Sequence, residues 1–199
     1  MPETTTTNKV EFGLSNAHYA EVTVDESTNA LTFGVPQRIP GATALTFDAS
    51  GDLIRFKADD VDYYTNPNNQ GYEGTLTLAM VPDEFKKTIL GEEQTEGGVM
   101  IENANAQTKR FALMFEFQGD KKATRHIMYY CSANRSSIGS TTKDSGEPNT
   151  TDLSIVVSPR PDNGEVKAKT STATSDAIYQ AWYTKVYEKA TETTEPVQG

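Results

Sequence analysis

Three segments of the chain alternate apolar and polar residues: residues 72–80, 110–118 and 125–132. A period of two predicts β-strands with one buried face and one polar face. In the first segment the expected buried face comprises Tyr72, Leu76, Leu78 and Met80. The opposite, polar face comprises Glu73, Thr75 and Thr77. These segments predict a sheet as the main structural unit.

The second and third segments flank the turn-like residues 119–122, so together they predict a β-hairpin. Alternation places four large apolar side chains of its first strand on one face: Phe111, Leu113, Phe115 and Phe117. We expect this face to be buried opposite Ile127 and Tyr129 of the second strand. The hairpin should therefore contribute a large share of the core.

Further strands are predicted from shorter patterns. Residues 44–48 and 53–57 indicate another hairpin around a turn at residues 49–52. Single strands are expected at residues 18–24, 31–33, 61–64, 153–157 and 165–170. Two polar segments rich in turn-forming residues, 58–71 and 136–149, predict long loops, the first containing the short strand 61–64.

Helix signals occur at two places. Residues 82–91 begin with Pro82, have acids in the first turn and end at Gly91, which is the usual order of start and stop residues. Residues 175–187 predict a short helix with Ser175 or Asp176 as N-cap and Trp182 as an apolar anchor.

Composition agrees with a mainly β protein, because 27 of the 199 residues are threonine, a β-branched residue that favours strands. The length suits one domain, which we place at residues 10–187, between a flexible N-terminal arm at 1–9 and a flexible tail at 188–199. The single cysteine, Cys131, excludes an intramolecular disulfide.

The net charge of the chain argues against one class of function. The formal net charge is −10, from 18 Lys+Arg and 28 Asp+Glu, which argues against a protein that binds nucleic-acid backbones. The same charge does not exclude a protein along which DNA must pass without sticking, because an acidic surface repels phosphate. No apolar run approaches the length of a transmembrane helix, and the N-terminus lacks the pattern of a secretory signal.

A search for catalytic, metal or cofactor motifs yields no candidate site, so we expect neither an enzyme nor a cofactor-binding protein. The two histidines, His18 and His126, and Cys131 fit packed side chains better than reactive ones. Asp59, Asp60 and Asp62 form the tightest acid cluster. They lack the spacing of an EF-hand loop, so a solvated acidic loop is favoured, and calcium binding stays open.

Taken in order along residues 8–187, four motifs resemble the major tail proteins (tail tube proteins) of bacteriophages with long non-contractile tails, of the phi13 type. The motifs are NKVEFGL at 8–14, GYEGTLTL at 71–78 leading into the helix at 82–91, RFALMFE at 110–116 and YYCS at 129–132. Their order and spacing carry the resemblance, since no single motif is diagnostic.

The resemblance implies a mainly β fold, sandwich-like or barrel-like, with one flanking α-helix and long loops. It implies self-assembly into stacked rings, six subunits each, forming the tail tube through which the genome passes. The implied partners are further copies of the chain and the tape measure, tail terminator and distal tail proteins. The implied location is the virion tail, with host cytoplasm during assembly, and neither specific DNA binding nor a membrane is implied.

Within such a tube, a basic lumen wall would retain DNA, so we expect polar and acidic side chains there. The candidates lie on strand faces opposite the expected core: Glu73, Thr75, Thr77 and Glu116. We expect one or both of the long loops to bridge neighbouring subunits, within a ring or between stacked rings.

A different class of function is also compatible with the sequence, namely a monomeric carbohydrate-binding or adhesin-like β-sandwich. The loop 58–71 favours it, because Tyr63 and Tyr64 lie beside three aspartates. The second loop has no aromatic residue, which weakens this alternative.

Overall fold

The computed structural model describes residues 8–142, 146 and 148–189. Most of the predicted arm and tail, and four residues of the loop 136–149, lie outside the described residues, so the domain boundaries stay a prediction. Asn8 is the first described residue. Its side-chain amide donates to the Lys122 carbonyl at 2.6 Å and accepts from the Lys121 and Lys122 N–H groups.

Thirteen strands and two short helical segments make up the regular structure of the described residues. The first seven strands are β1 Glu11–Val24, β2 Leu31–Phe33, β3 Gln37–Arg38, β4 Ala42–Ser50, β5 Leu53–Ala58, β6 Val61–Pro67 and β7 Gly71–Leu78. The remaining strands are β8 Glu93–Gln94, β9 Met100–Ile101, β10 Arg110–Gly119, β11 Thr124–Ala133, β12 Thr151–Val157 and β13 Lys167–Lys169. The predicted mainly β fold is confirmed.

Nine of these strands form one antiparallel sheet with the order β2-β1-β10-β11-β12-β7-β4, where β3 also pairs with β1 and β13 with β11. The sheet curls strongly. Phe47 of β4 lies 6.4 Å (ring centroids) from Phe115 of β10, although three strands separate β4 from β10 in the sheet. Among the described residues β4 pairs only with β7, so the curled sheet is not a closed barrel.

Two apolar clusters lie on opposite sides of β10. The inner core fills the curl and includes Leu76, Leu78, Phe111, Leu113, Phe115, Leu153, Ile155 and Val157. The outer core lies on the convex side and includes Ala112, Met114, Ile127, Tyr129, Trp182 and Val186. β10 is therefore buried on both faces, which explains its nearly continuous apolar sequence.

The expected buried face of β10 is confirmed, but the residues predicted to oppose it are wrong. Leu113 pairs with Met128 and Met114 with Ile127, so Ile127 shares the outer core with Met114. A register shift between Phe111 and Leu113 then places both Tyr129 and Tyr130 against the outer core. One extra residue at a bulge interrupts the alternation, and sequence periodicity alone does not show it.

The predicted pairing of residues 44–48 with 53–57 is also wrong. β4 pairs with β7, and β5 pairs with β6 in a separate hairpin inserted between them. Asp59 and Asp60 form the turn of this hairpin, with φ of 52° and 59°. Positive φ at both central positions matches the tight turns that suit the twist of a hairpin, and aspartate tolerates this conformation. The predicted loop 58–71 is therefore largely the second half of a hairpin.

The helix predicted at 82–91 is confirmed in position. Helix α1 spans Asp83–Phe85 and continues as a π-helical segment over Lys86–Leu90, and Gly91 ends it with φ of 76°. Phe85 and Ile89 are buried in the inner core. The segment thus covers the inner core at the end of the sheet where β7 finishes.

The second predicted helix is shorter than expected, because α2 spans only Asp176–Ala181. The Ser175 side chain accepts the N–H of Ile178, as predicted for its N-cap. Trp182 is buried in the outer core and anchors the segment. Residues 175–189, here called the C-terminal segment, run along the outer face of the sheet.

Candidate functional site

The open face of β4, β7 and β12 is lined by small and polar side chains. Its members are Ala44, Thr46 and Asp48 of β4, Glu73, Thr75 and Thr77 of β7, and Asp152, Ser154 and Val156 of β12. The opposite side chains of these strands pack into the inner core. We call these nine residues the acidic face, because it carries three acids and no lysine or arginine.

Two acids of this face lie directly opposite each other, since Asp48 of β4 pairs with Glu73 of β7. Like charges at opposed positions of neighbouring strands destabilise a sheet. Folding alone therefore does not explain this pair. Asp152 adds a third acid, whose carboxylate accepts the Thr77 hydroxyl at 2.6 Å.

Three of the four predicted lumen residues, Glu73, Thr75 and Thr77, thus share one exposed or half-exposed face. Asp48 and Asp152 also lie on this face. Asp48 belongs to the predicted strand 44–48, whereas Asp152 precedes the strand predicted at 153–157 and joins the face because β12 begins at Thr151. The lumen assignment itself stays a prediction.

Glu116 does not join the acidic face. It lies on β10 beneath the C-terminal segment and is 7% exposed. Its carboxylate accepts from Asn16 Nδ2 at 2.6 Å, Arg125 Nε at 3.1 Å and Tyr183 Oη at 3.2 Å. Alternation correctly separates it from the inner core, but only the tertiary structure shows that another segment covers it.

Arg125 and two tyrosines extend this buried network. The guanidinium of Arg125 donates to the Tyr179 carbonyl and lies over the rings of Tyr179 and Tyr183. Tyr183 also stacks on His18, with 4.5 Å between ring centroids. Burial lowers the pKa of His18 and raises that of the Tyr183 hydroxyl, so both rings are neutral at pH 7. The network fixes the C-terminal segment to β1, β10 and β11.

Two long edges of the sheet are unpaired among the described residues. β4 spans nine residues, and its sequence ATALTFDAS contains one charge and no proline. Along β1, residues 11–16 have no described partner on the side away from β10. Long edges without lysine or proline readily pair with another chain.

The direction of the β4 backbone groups follows from one hydrogen bond. The Thr77 carbonyl accepts the Thr43 hydroxyl at 3.1 Å, so the backbone groups of Thr77 point toward β4. The register then directs the backbone groups of Thr46 toward β7 and, by alternation, those of Ala49 toward the free edge.

A calcium site at the aspartate cluster gains no support from this geometry. Asp59 and Asp60 are the two turn residues of the β5–β6 hairpin. In the part of the chain that the structure describes, no group of three or more histidine, cysteine or acidic side chains is arranged to hold a metal ion. Cys131 is buried in the inner core, where desolvation raises the pKa of its thiol to about 12.

The described helices are too short and too polar to cross a bilayer. The fold and its surfaces thus define a single curled β-sheet with unpaired edges and an acidic face, a class of protein suited to association with further copies through sheet edges.

Comparison with known families identifies that class. The profile of the family described as Phage tail tube protein matches residues 3–196. The chain therefore belongs to the phage tail tube protein family and is a structural protein of the phage tail. The resemblance seen in the sequence is confirmed.

Two solved structures with a similar chain trace are described as tube terminators. One is the tube-terminating cap of the anti-feeding prophage, with 12% identity and a TM-score of 0.46, over 86% of this chain and 99% of that chain. Another is the sheath/tube terminator of the extracellular contractile injection system PVC, with 9% identity and a TM-score of 0.48, over 81% and 98%. A search of curated proteins found no match.

Proposed function

We propose that this chain is the repeating subunit of a phage tail tube, assembling without catalysis into stacked rings of six that form the conduit for genome delivery. The observation that carries the proposal is the open edge of β4 in a chain that belongs to the tail tube family. The ring size follows from the resemblance to long-tailed phages.

The geometry of the edges supports the proposed ring closure. Among the described residues, the β4 edge and the β1 edge at residues 11–16 are two long unpaired edges of the same sheet. If β4 of one subunit pairs with β1 of the next, the contact is head-to-tail, and such contacts close into rings when the rotation permits. Closure would remove both edges, as in a barrel.

Ala49→Pro tests this pairing. The side chain of Ala49 is exposed and its N–H points to the free edge, so proline removes a donor that the isolated subunit does not use. We expect the unfolding midpoint of the subunit to stay near that of the wild type. The fraction of protein in rings, measured by analytical ultracentrifugation and negative-stain electron microscopy, should fall sharply.

Ala49→Val is the matched control, because it changes the same side chain and keeps the N–H. It should assemble like the wild type. Rings formed equally by both variants would show that the β4 edge is not a subunit contact. A wild-type protein that stays monomeric in all conditions, including in the presence of other tail proteins, would contradict the proposed function as a whole.

The acidic face is the best candidate for the lumen wall of the proposed tube. Its opposed acids, Asp48 and Glu73, weaken the isolated sheet slightly. In a lumen wall the same two carboxylates would repel the DNA phosphates, which is a function that would explain this pair. Thr75 and Thr77 add neutral hydroxyl groups. Glu116, the fourth residue predicted from the sequence to face the lumen, is not part of this wall because the C-terminal segment covers it.

A graded series at Asp48 and Glu73 tests the lumen assignment. D48N/E73Q removes the two negative charges, and D48K/E73K reverses them while keeping a like-charge pair of similar repulsion. Tubes should form in all cases. The rate of DNA ejection should fall from wild type to the amide variant to the lysine variant, most strongly at low salt, where screening is weakest. Equal ejection rates at low salt would place this face elsewhere than the lumen.

The β5–β6 hairpin and the loop 136–149 are proposed to contact neighbouring subunits. Tyr63 and Tyr64 of the hairpin are largely exposed, at 74% and 56%, and tyrosine is enriched at protein interfaces. In the loop, Ile138 is exposed. The further partners we propose are the tape measure, tail terminator and distal tail proteins, with assembly in the host cytoplasm.

A further inference from the structure

The β8–β9 hairpin is a small acidic projection. Its turn, residues 95–99, is closed by bonds between the backbones of Thr95 and Val99 and from Gly98 N–H to the Thr95 carbonyl, each 2.9 Å. Glu93 and Glu96 are exposed and have no ion-pair partner among the described residues. Val99 and Ile101 are exposed on the same hairpin. It thus combines two free carboxylates with an apolar patch.

A cleft of about 480 Å³ has a basic lining, which complements the acidic β8–β9 hairpin. Its walls come from residues 8–11, the turn before β11 and residues 169–172, and they carry three lysines, Lys9, Lys122 and Lys169, against one acid, Glu11. Lys122 interacts with Asp176 and the Tyr179 ring, whereas the ammonium groups of Lys9 and Lys169 form no ion pair within the described ranges. The Lys9 N–H donates to the Asp120 carboxylate at 2.9 Å. Such an excess of lysine is notable in a chain with a net charge of −10.

Apolar side chains accompany this cleft as well. Val10 lines it, and Val10 and the nearby Phe12 are each 56% exposed. Exposed apolar residues rimmed by unpaired charges are typical of contact surfaces.

The cleft and the hairpin lie at opposite ends of the strands. The cleft adjoins the end where Glu11 pairs with Gly119 and Phe117 with Thr124. The hairpin belongs to the other end. There Lys109 N–H bonds the Ile89 carbonyl, and Arg135, beyond β11, pairs with Glu102 at 2.6 Å. Surfaces at opposite ends cannot meet within one subunit, but they can join subunits in a line.

We infer that the β8–β9 hairpin of one subunit docks into the lysine cleft of a second copy in the next ring, which makes this the contact that stacks rings along the tube. The inference rests on the proposed tube function and specifies its axial contact. Glu93 and Glu96 pair with Lys9 and Lys169, and Val99 and Ile101 pack against Val10 and Phe12. A head-to-tail contact of this kind repeats without limit, as growth along an axis requires.

Charge reversal on each side tests the docking. Glu93→Lys with Glu96→Lys places lysines against the lysine cleft, and Lys9→Glu with Lys169→Glu places acids against the acidic hairpin. Each double variant should raise the protein concentration needed for tube growth about tenfold or more, because like charges then face each other. Combining all four substitutions restores opposite charges and the wild-type net charge, so tubes should return. Tube yield is measured by sedimentation and electron microscopy.

The outcomes separate this inference from the proposed function. Tubes from the wild type and equally from both double variants would overturn the docking while leaving the tube intact. Failure of the fourfold variant to recover, with each double variant impaired, would also overturn it, since the two surfaces would then not contact each other. Absence of tubes from the wild type, even with the other tail proteins, would instead contradict the tube function itself.

Discussion

Replacing Phe115 with alanine should lower the free energy of unfolding by about 3–5 kcal/mol, the usual cost of truncating a buried phenylalanine. Phe115 is 2% exposed at the centre of the inner core. Its ring lies 5.3 Å from Phe117, 5.2 Å from His126 and 6.4 Å from Phe47 (ring centroids). The Phe47 contact joins β4 to β10 across the curl, so the cavity left by truncation would lie where the edge strand β4 approaches β10. Chemical denaturation measures the effect.

Two further variants test whether the loss of stability comes from the buried volume of the Phe115 ring. Phe115→Leu keeps most of the apolar volume and should cost clearly less than alanine. Phe12→Ala removes an exposed ring from β1 and should change stability by less than about 0.5 kcal/mol. A loss below about 1 kcal/mol for Phe115→Ala, close to that of an average substitution, would mean that the curl does not bury this face.

Replacing Glu116 with alanine should cost about 3 kcal/mol, because it leaves the charge of Arg125 without its anion in a mostly buried position. The value lies at the low end of the range for broken buried pairs, since Arg125 still bonds the Tyr179 carbonyl and stacks on two rings. Trp182 provides a second readout. It is the one tryptophan in the chain, belongs to the C-terminal segment and is buried against the outer face of the sheet, so detachment of that segment should shift its fluorescence to longer wavelength.

Glu21→Ala is the matched control for this experiment. Glu21 pairs with Lys109 at 2.7 Å, but that pair is exposed, and its loss should cost less than about 1 kcal/mol. Glu116→Gln should fall between the two, because the amide keeps the volume and part of the hydrogen bonding. Equal stability of Glu116→Ala and Glu21→Ala would show that the network does not hold the C-terminal segment.

The sequence by itself determined the local structure of this protein. Alternation placed Leu76 and Leu78 on the buried face of one strand and Glu73, Thr75 and Thr77 on the other, as observed. Met80, predicted on the same buried face, is wrong, because it lies beyond the end of β7 and is 74% exposed. Pro82 and Gly91 marked the helix ends, and Ser175 marked an N-cap. These features depend on side-chain direction and backbone conformation within a few residues, which local sequence controls.

Strand pairing was decided by the tertiary structure. Residues 44–48 were expected to pair with residues 53–57, but they pair with β7, beyond an inserted hairpin. The bulge that brings Tyr129 and Tyr130 to one face, and the covering of Glu116 by the C-terminal segment, were equally invisible to periodicity. A period of two shows which residues of one strand share a face. Which strand lies alongside, and what covers that face, depends on the packing of segments far apart in the chain.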